Sequence, residues 1–299
     1  MGLQIIPYNT TYDFVGKKNI IFGILIAVML VCVGSIFVQG FNYGVDFKGG
    51  LLLEVRTPGK ANLAQLRDTL SHIVEGEVNL QEFGSPNDVL MRIERQPGGD
   101  AAQLKALDKI KSTLGSSVDY RRVETVGPKV SSDLINNGIY AILWSLVAML
   151  IYIWFRFEWQ FGVCSFLTLA HDALMLLGVF SLFHLEFSEY TITAVLITVT
   201  YSINDTVVIY DRIRENLRKF KKMPMGELIN QSINDTLSRT ILTSTTTLLS
   251  LLGLYFFGGP VIAAFSLPII VGITIGTISS IVVSAPLLLY TPLRTSESE

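Results

Sequence analysis

A single carboxylate interrupts a long apolar stretch of the sequence. Asp205 is the only charged residue between Thr191 and Tyr210, in TITAVLITVTYSINDTVVIY, and its neighbours Asn204 and Thr206 are polar. If this stretch crosses a membrane, an ionised carboxylate there is costly, so Asp205 must face other helices or water. This placement favours a proton-binding role. The alternative is a neutral aspartic acid that cross-links two helices through hydrogen bonds.

A second polar pair, His171 and Asp172, lies in the apolar segment FLTLAHDALMLL. The pair is about nine residues, roughly 14 Å, from the start of its segment, and Asp205 is roughly 9 Å from Asp211 at the edge of its own. The depths are therefore similar. Adjacent helical residues point about 100° apart, so at most one of the pair faces Asp205 directly. A proton-transfer role and a structural role both remain open.

Arg239 begins the fifth apolar segment, SRTILTSTTTLL, whose next turns carry hydroxyls at Thr243, Thr245, Thr246 and Thr247. A permanent cation near Asp205 favours the ionised carboxylate, whereas burial favours the protonated one, and a balance between the two suits proton exchange. The sequence predicts a proton-relay set of Asp205, Arg239, Asn204, Thr206, His171 and Asp172. Two alternatives for Arg239 are a salt bridge to Asp235 four residues earlier and anchoring at the membrane surface.

The composition is that of a membrane protein. Half of the 299 residues are hydrophobic and 16% are charged, against roughly 25% charged residues in soluble domains. Cys32 and Cys164 lie in apolar runs, which argues against a disulfide. The three histidines are scattered and no phosphate-binding loop is present, so we expect no metal, cofactor or nucleic-acid partner and no enzymatic activity.

Six apolar segments are long enough to cross a membrane. The predicted spans are 19–40, 134–155, 162–183, 191–210, 239–257 and 263–290. The last two come from one uncharged stretch, 240–293, which turns at Gly258, Gly259 and Pro260. The remaining units are 1–18, 41–133, 211–238 and 291–299.

The basic residues predict the orientation. Lys17, Lys18, Arg156 and the run RIRENLRKFKK flank the spans on one side, whereas the opposite loops HLEFSEY and FFGGP contain no Lys or Arg. Both termini, 1–18 and 291–299, are therefore expected in the cytoplasm of a multi-pass membrane protein. The cytoplasmic segment 211–238 is expected to hold a basic loop and an amphipathic helix. That helix would lay Ile229, Ile233, Leu237 and Ile241 against the membrane face, in contact with lipid.

The segment 41–133 reads as one small extracytoplasmic domain. Strand-like runs (LLLEV, VNLQEF, VLMRIE and a last run near Val118) alternate with two helical patterns. GSPND marks a turn between two of the strands, and Asp100 is a candidate helix cap. The order βαββαβ predicts a ferredoxin-like α+β fold. The fold class is thus an α-helical membrane protein with six transmembrane helices and one ferredoxin-like domain.

Five motifs resemble the SecF branch of the SecD/SecF protein-export family. They are GVDFKGG, VETVGPKVSSDL, AHDALMLLGVF, YSINDTVVIYDRIREN and SRTILTSTTTLLSLL, and they are spread over nearly the whole chain. That family belongs to the resistance-nodulation-division superfamily of proton-driven exporters. By motif, the resemblance implies that Asp205 and Arg239 take part in proton passage.

The resemblance also implies partners and a function. A SecF-like chain works with a SecD-like subunit beside the SecYEG channel, after the SecA ATPase has started export, and uses the proton-motive force to move unfolded preprotein outward. Membrane lipids are the remaining expected partners. Two alternatives stay open: half of another exporter of the superfamily, for lipids or small molecules, and a membrane assembly factor that conducts no protons.

Overall fold

The computed structural model describes residues 10–83, 85–115, 118–126 and 128–293. The outer ends of the predicted terminal segments, 1–9 and 294–299, and Gly84 of the predicted turn lie outside the described residues. The elements in chain order are α1 (Lys18–Gln39), β1 (Asn42–Tyr43), α2 (Val45–Lys48), β2 (Gly50–Arg56), α3 (Leu63–Ser71), β3 (Val78–Phe83), β4 (Ser85–Glu94), α4 (Gly99–Leu114), β5 (Asp119–Val126), α5 (Pro128–Arg156), α6 (Trp159–Leu182), β6 (Glu186–Phe187), α7 (Glu189–Lys219), α8 (Met225–Phe257), α9 (Gly259–Ser279), a π-helical turn (Ser280–Ser284) and α10 (Ala285–Leu287).

Six helices of the described chain are long and apolar enough to cross a membrane, which confirms the predicted fold class. They are α1, α5, α6, α7, α8 and a last span, Ile262–Tyr290, that joins α9 to the π-helical turn and α10. The most apolar parts of α6, α7 and the last span are 56%, 50% and 56% buried, against 11–17% for α1, α5 and α8. The helices α6, α7 and the last span therefore form the interior, and α1, α5 and α8 surround it.

The interior helices approach closely where glycines replace side chains. A Cβ on Gly272 of α9 would collide with the Thr198 hydroxyl of α7, and one on Gly276 would lie 3.0 Å from the Ser202 Cβ. In lipid, helix association depends on such close packing because no apolar surface is removed from water. These two glycines bring the hydroxyl-bearing face of α7 against α9.

The segment between α1 and α5 has the predicted ferredoxin-like fold. Its four strands pair in the order β3-β4-β2-β5, all antiparallel, and α3 and α4 cover one face. Alternate residues of β2 point to that face because strand side chains alternate. They form the domain core with residues of β4 and both helices: Leu51, Leu53, Val55, Val89, Met91, Ile93, Leu70 and Ile110.

Gly49 and Gly50 form the turn into the first strand of the domain. Both have positive φ, 78° and 150°, which glycine adopts without steric cost. A Cβ on Gly50 would also clash with the carbonyl oxygen of Ile93 on the neighbouring strand. The two glycines of GVDFKGG therefore have a structural role.

Two local predictions for this domain are wrong. Asp100 does not cap α4: the helix begins one residue earlier, and Asp100 pairs with Arg95 at 3.3 Å. The turn between β3 and β4 is also shorter than predicted, because β4 already pairs with β3 at Ser85. The strand extends to this point because Asp88, inside the expected turn, pairs with Arg56 on β2.

The segment that follows α7 also differs from the prediction. Residues 225–238 are the first turns of the continuous helix α8, not a separate helix lying on the membrane. Ile229 and Ile233 are fully buried inside the protein. The amides of Asn230 and Asn234 bind the backbone at Tyr12 and Phe14, so the N-terminal segment covers this helix. The apolar stripe thus contacts protein where lipid contact was expected.

The ion pair between Arg56 and Asp88 should make the stability of the ferredoxin-like domain depend on pH. Asp88 is 6% exposed and accepts Arg56 Nε at 2.6 Å and Nη2 at 2.7 Å. The Arg56 guanidinium therefore holds the pKa of Asp88 well below its usual range. Because the folded pKa is the lower one, the stabilisation is complete above the unfolded pKa of about 3.9 and is lost as the pH falls towards the folded value.

We therefore expect Asp88→Asn to lower the unfolding temperature of the domain at neutral pH, with a difference that shrinks below about pH 4. Calorimetry of the detergent-purified chain measures this. Asp68→Asn is the control because the side chain of Asp68 is 80% exposed. A difference that stays constant across the pH range would contradict the assignment.

Candidate proton-transfer site in the membrane

Asp205 lies on α7 at the boundary with α8 and α9. It is 3% exposed, and its Oδ2 accepts one side-chain hydrogen bond, from Ser244 Oγ at 3.5 Å. This distance is at the upper limit for a hydrogen bond. Ser244 is held more tightly by Thr277 of α9, at 2.8 Å. Asp205 is thus a buried carboxyl group with weak hydrogen bonding, which leaves its oxygens free to bind a proton or water.

Asp172 has the opposite surroundings. It is fully buried on α6, and its Oδ2 accepts hydrogen bonds from Ser202 Oγ of α7 at 2.6 Å and Ser279 Oγ of α9 at 2.7 Å. Its Oδ1 lies 3.1 Å from His171 Nδ1. One carboxyl group therefore joins the three interior helices of the membrane region.

His171 is oriented by its neighbour. Its Nδ1 faces Asp172, while its Nε2 is buried and has no hydrogen-bond partner among the described residues. As the helical geometry requires, the two residues of the pair have different surroundings: Asp172 faces α7 and α9, and His171 contacts Asp172 itself. An imidazole nitrogen without a partner is a possible proton acceptor in an otherwise satisfied cluster.

Asn204 and Thr206, the neighbours of Asp205, are not brought together with it. Asn204 is exposed on the outer face of α7 and lines a groove between α5 and α7. Thr206 is buried at 1% exposure, and its Oγ1 has no hydrogen-bond partner in the described part of the chain. Only Asp205 of the three contacts the hydroxyl groups of α8.

Arg239 is exposed at the start of the apolar part of α8. It lies five residues before Ser244, roughly 7 Å along the helix axis. The alternative salt bridge within α8 is absent, because Asp235 instead accepts Arg212 Nε of α7 at 2.7 Å. Between the described residues Arg239 and Asp205 there is no ion pair either.

The hydroxyl groups next to the two carboxyl groups were not predicted from the sequence. Ser202 and Ser279 bond Asp172, Ser244 bonds Asp205, and Thr277 bonds Ser244. The signal was present in the last span, where TISSIVVS carries four hydroxyl residues. A π-helical turn follows at Ser280–Ser284, and Ser284 Oγ bonds the Tyr210 hydroxyl at 2.7 Å. Such turns within helices are frequent at functional sites.

The arrangement suits proton transfer better than metal binding. Hydroxyl groups both donate and accept hydrogen bonds, so they can pass protons between carboxyl groups. Thr277 and Ser279, two residues apart on α9, are bonded to the clusters of Asp205 and Asp172 respectively. Among the described residues, no group of three or more His, Cys, Asp or Glu side chains could hold a metal ion.

Two family models match the chain. The model described as Protein export membrane protein SecD/SecF, C-terminal, matches residues 106–294, which include every residue of the candidate site. The model described as SecD/SecF GG Motif matches residues 34–57, which include the turn at Gly49 and Gly50. The first match alone covers more than half of the chain.

Similar proteins extend over nearly its whole length. Protein translocase subunit SecF from Rickettsia bellii is 44% identical over 290 residues, which are 96% of this chain and 95% of the relative. The solved structure of SecDF, a translocon-associated membrane protein from Thermus thermophilus, is similar with a TM-score of 0.78 at 36% identity.

That match covers 97% of this chain and 40% of the SecDF chain. A structure of SecDF in a super-membrane-facing form matches with a TM-score of 0.71 at 36% identity, over 94% of this chain and 39% of the other. The chain thus corresponds to less than half of SecDF and to nearly all of SecF. The chain belongs to the SecD/SecF family of protein export membrane proteins, as a SecF subunit.

Proposed function

We propose that this chain is an accessory subunit of the Sec protein translocase that uses the proton-motive force to promote the late stage of preprotein export. It acts in the cytoplasmic membrane, with both termini in the cytoplasm and the ferredoxin-like domain outside. The observation that carries the proposal is Asp205, a buried carboxyl group with weak hydrogen bonds inside a membrane helix. The His171–Asp172 pair is proposed as a second station of the proton path.

The energy source is sufficient for mechanical work. One proton moving down the membrane potential releases about 2.3 kcal/mol per 100 mV. A protonated Asp205 no longer needs a charged partner or water, whereas an ionised one does, so the two forms favour different helix arrangements. Differential stability of this kind shifts a two-state equilibrium.

The fold provides a connection from Asp205 to the outside. The strand β6, two residues before the start of α7, pairs with β1, and Phe187 of β6 packs on Phe41 and Phe47. Glu186 of β6 also pairs with Arg92 of the external domain at 3.8 Å. A shift of α7 that follows protonation would therefore move the base of the external domain, which is the part proposed to act on the emerging unfolded preprotein.

A SecD-like subunit is the proposed membrane partner. Asn204 is exposed on α7, and a polar amide at membrane depth requires a protein or water neighbour. The SecDF chain is more than twice as long as this one, which suggests that a SecD-like subunit supplies this neighbour. The SecYEG channel, the SecA ATPase and the preprotein complete the proposed set of partners. The chain itself performs no covalent chemistry in this proposal.

Export into inverted membrane vesicles tests the function. Vesicles with SecYEG, SecA and the SecD-like subunit are compared with and without this chain. A preprotein is first halted partway through export, ATP is removed, and the completion of its export is then measured. We expect the chain to accelerate completion of export only when a proton gradient is present. Equal acceleration after an ionophore has collapsed the gradient would instead favour an assembly factor that conducts no protons.

The role of Arg239 can be separated from that of its helix. We expect Arg239→Met to reduce gradient-dependent export, because it removes the permanent cation five residues before Ser244 on α8. Asp235→Asn should leave export nearly unchanged, because Asp235 pairs with Arg212 and not with Arg239. The same export assay measures both variants. Equal damage from the two changes would point to packing between α7 and α8 as the cause.

A further inference from the structure

A basic cavity of about 520 Å³ lies at the cytoplasmic ends of α5 and α7. It is lined by Arg156, Asp211, Arg214, Glu215, Arg218 and Lys219, four cations and two carboxylates. Both carboxylates already have partners, since Asp211 pairs with Arg156 at 3.2 Å and Glu215 with Arg212 at 2.7 Å. In the described part of the chain, no carboxylate pairs with Arg214, Arg218 or Lys219. The cavity therefore offers unbalanced positive charge to an anion.

An apolar groove continues from this cavity between the same two helices. The groove has a volume of about 700 Å³, and Met149, Tyr152, Ile203 and Val207 line its cytoplasmic part. Tyr152 is one helical turn before Arg156, and Val207 is one turn before Asp211. Each step is about 6 Å along the helix axis. The charged cavity and the apolar groove thus lie end to end along one seam.

Exposed aromatic rings mark the depth of the cavity in the membrane. Trp154, Phe155 and Trp159, at the end of α5 and the start of α6, are 64%, 89% and 53% exposed. Tryptophan is enriched where the headgroups meet the hydrocarbon. Arg156 lies within this group of residues, so the cavity is at headgroup level while the groove extends into the hydrocarbon.

We propose that this seam binds one anionic phospholipid, with its phosphate in the basic cavity and an acyl chain in the cytoplasmic part of the groove. Arg214, Arg218 and Lys219 supply the charge-assisted hydrogen bonds that a phosphate accepts. Basic pockets between membrane helices on the cytoplasmic side are suited to anionic headgroups. Thr193 and Thr200 line the part of the groove farther from the cavity, which leaves that upper part to a partner subunit.

The test uses the complex of this chain with its SecD-like subunit in phosphatidylcholine vesicles that contain a minor fraction of phosphatidylglycerol. After mild detergent extraction, retained phosphatidylglycerol is counted by native mass spectrometry. We expect the double variant Arg214→Gln, Arg218→Gln to retain the lipid about tenfold more weakly. The matched control, Lys221→Gln with Lys222→Gln, removes the same charge outside the cavity and should retain it like the unmodified chain.

A third variant tests the apolar part of the site. Val207→Trp fills the cytoplasmic part of the groove and should weaken retention although every charge remains. Glycerol phosphate, which has no acyl chain, should not displace the lipid. Equal loss from both double variants would overturn the proposal in favour of general surface charge. Displacement by glycerol phosphate, or loss of the lipid whenever the SecD-like subunit is bound, would also overturn it and assign the seam to a free phosphate or to the partner.

Discussion

Replacing Asp205 with asparagine is expected to reduce gradient-dependent export to the level seen when an ionophore is present. Asparagine keeps the size of the side chain and can still bond Ser244, but it cannot take up or release a proton. The chain should therefore remain inserted and associated with its SecD-like subunit. The vesicle export assay measures the loss, and co-purification of the partner measures the intact assembly.

Glu189→Gln is the matched control for this variant. Glu189 is an exposed carboxylate at the first residue of the same helix, α7. The same change of carboxylate to amide there should leave export unaffected. Full gradient-dependent export by the Asp205 variant at normal membrane potential would show that the carboxyl group is only packed between helices.

Asp172→Ala is expected to destabilise the membrane region strongly, whereas Asp172→Asn should not. The alanine variant leaves the buried Ser202 hydroxyl and His171 Nδ1 without the partner they have in the structure. Unsatisfied buried polar groups cost about 1–3 kcal/mol each. In the asparagine variant, the amide oxygen can still accept hydrogen bonds from Ser202 and Ser279. Its NH2 group can donate to His171 Nδ1. Thermal unfolding of the purified chain in detergent measures both.

The pair of variants also separates the two roles of Asp172. If Asp172 belongs to the proton path, the asparagine variant is stable and yet defective in gradient-dependent export. A stable variant with normal export would make Asp172 a structural link between α6, α7 and α9. Thr274→Ala, on the exposed face of α9, controls for removal of a hydroxyl group elsewhere in the same bundle.

The architecture was predictable from the sequence because its signals are local. Apolar length determines a span and alternating runs determine strands, so the six spans and the βαββαβ order could be derived without tertiary information. The buried carboxylates at 172 and 205 were found for the same reason, since charge inside an apolar run is visible in a single segment. The roles assigned to these residues stay predictions.

The partners of these residues were not predictable. The hydroxyls of Ser202 and Ser279 are ordinary features of helix surfaces, and their convergence on Asp172 depends on the close approach of α7 and α9 at Gly272 and Gly276. The stripe at Ile229 and Ile233 was assigned to lipid because an apolar face alone does not reveal what covers it. The N-terminal segment that covers this helix comes from more than two hundred residues away in the sequence.

Proton flux is the most direct test of the central claim, that Asp205 couples proton movement to export. The complex of this chain with its SecD-like subunit is reconstituted in vesicles that enclose a pH-sensitive dye, and a potassium diffusion potential is imposed. We predict proton entry with the unmodified chain and only background leakage with Asp205→Asn. Equal flux through both complexes, or no flux through either above that of empty vesicles, would contradict the account.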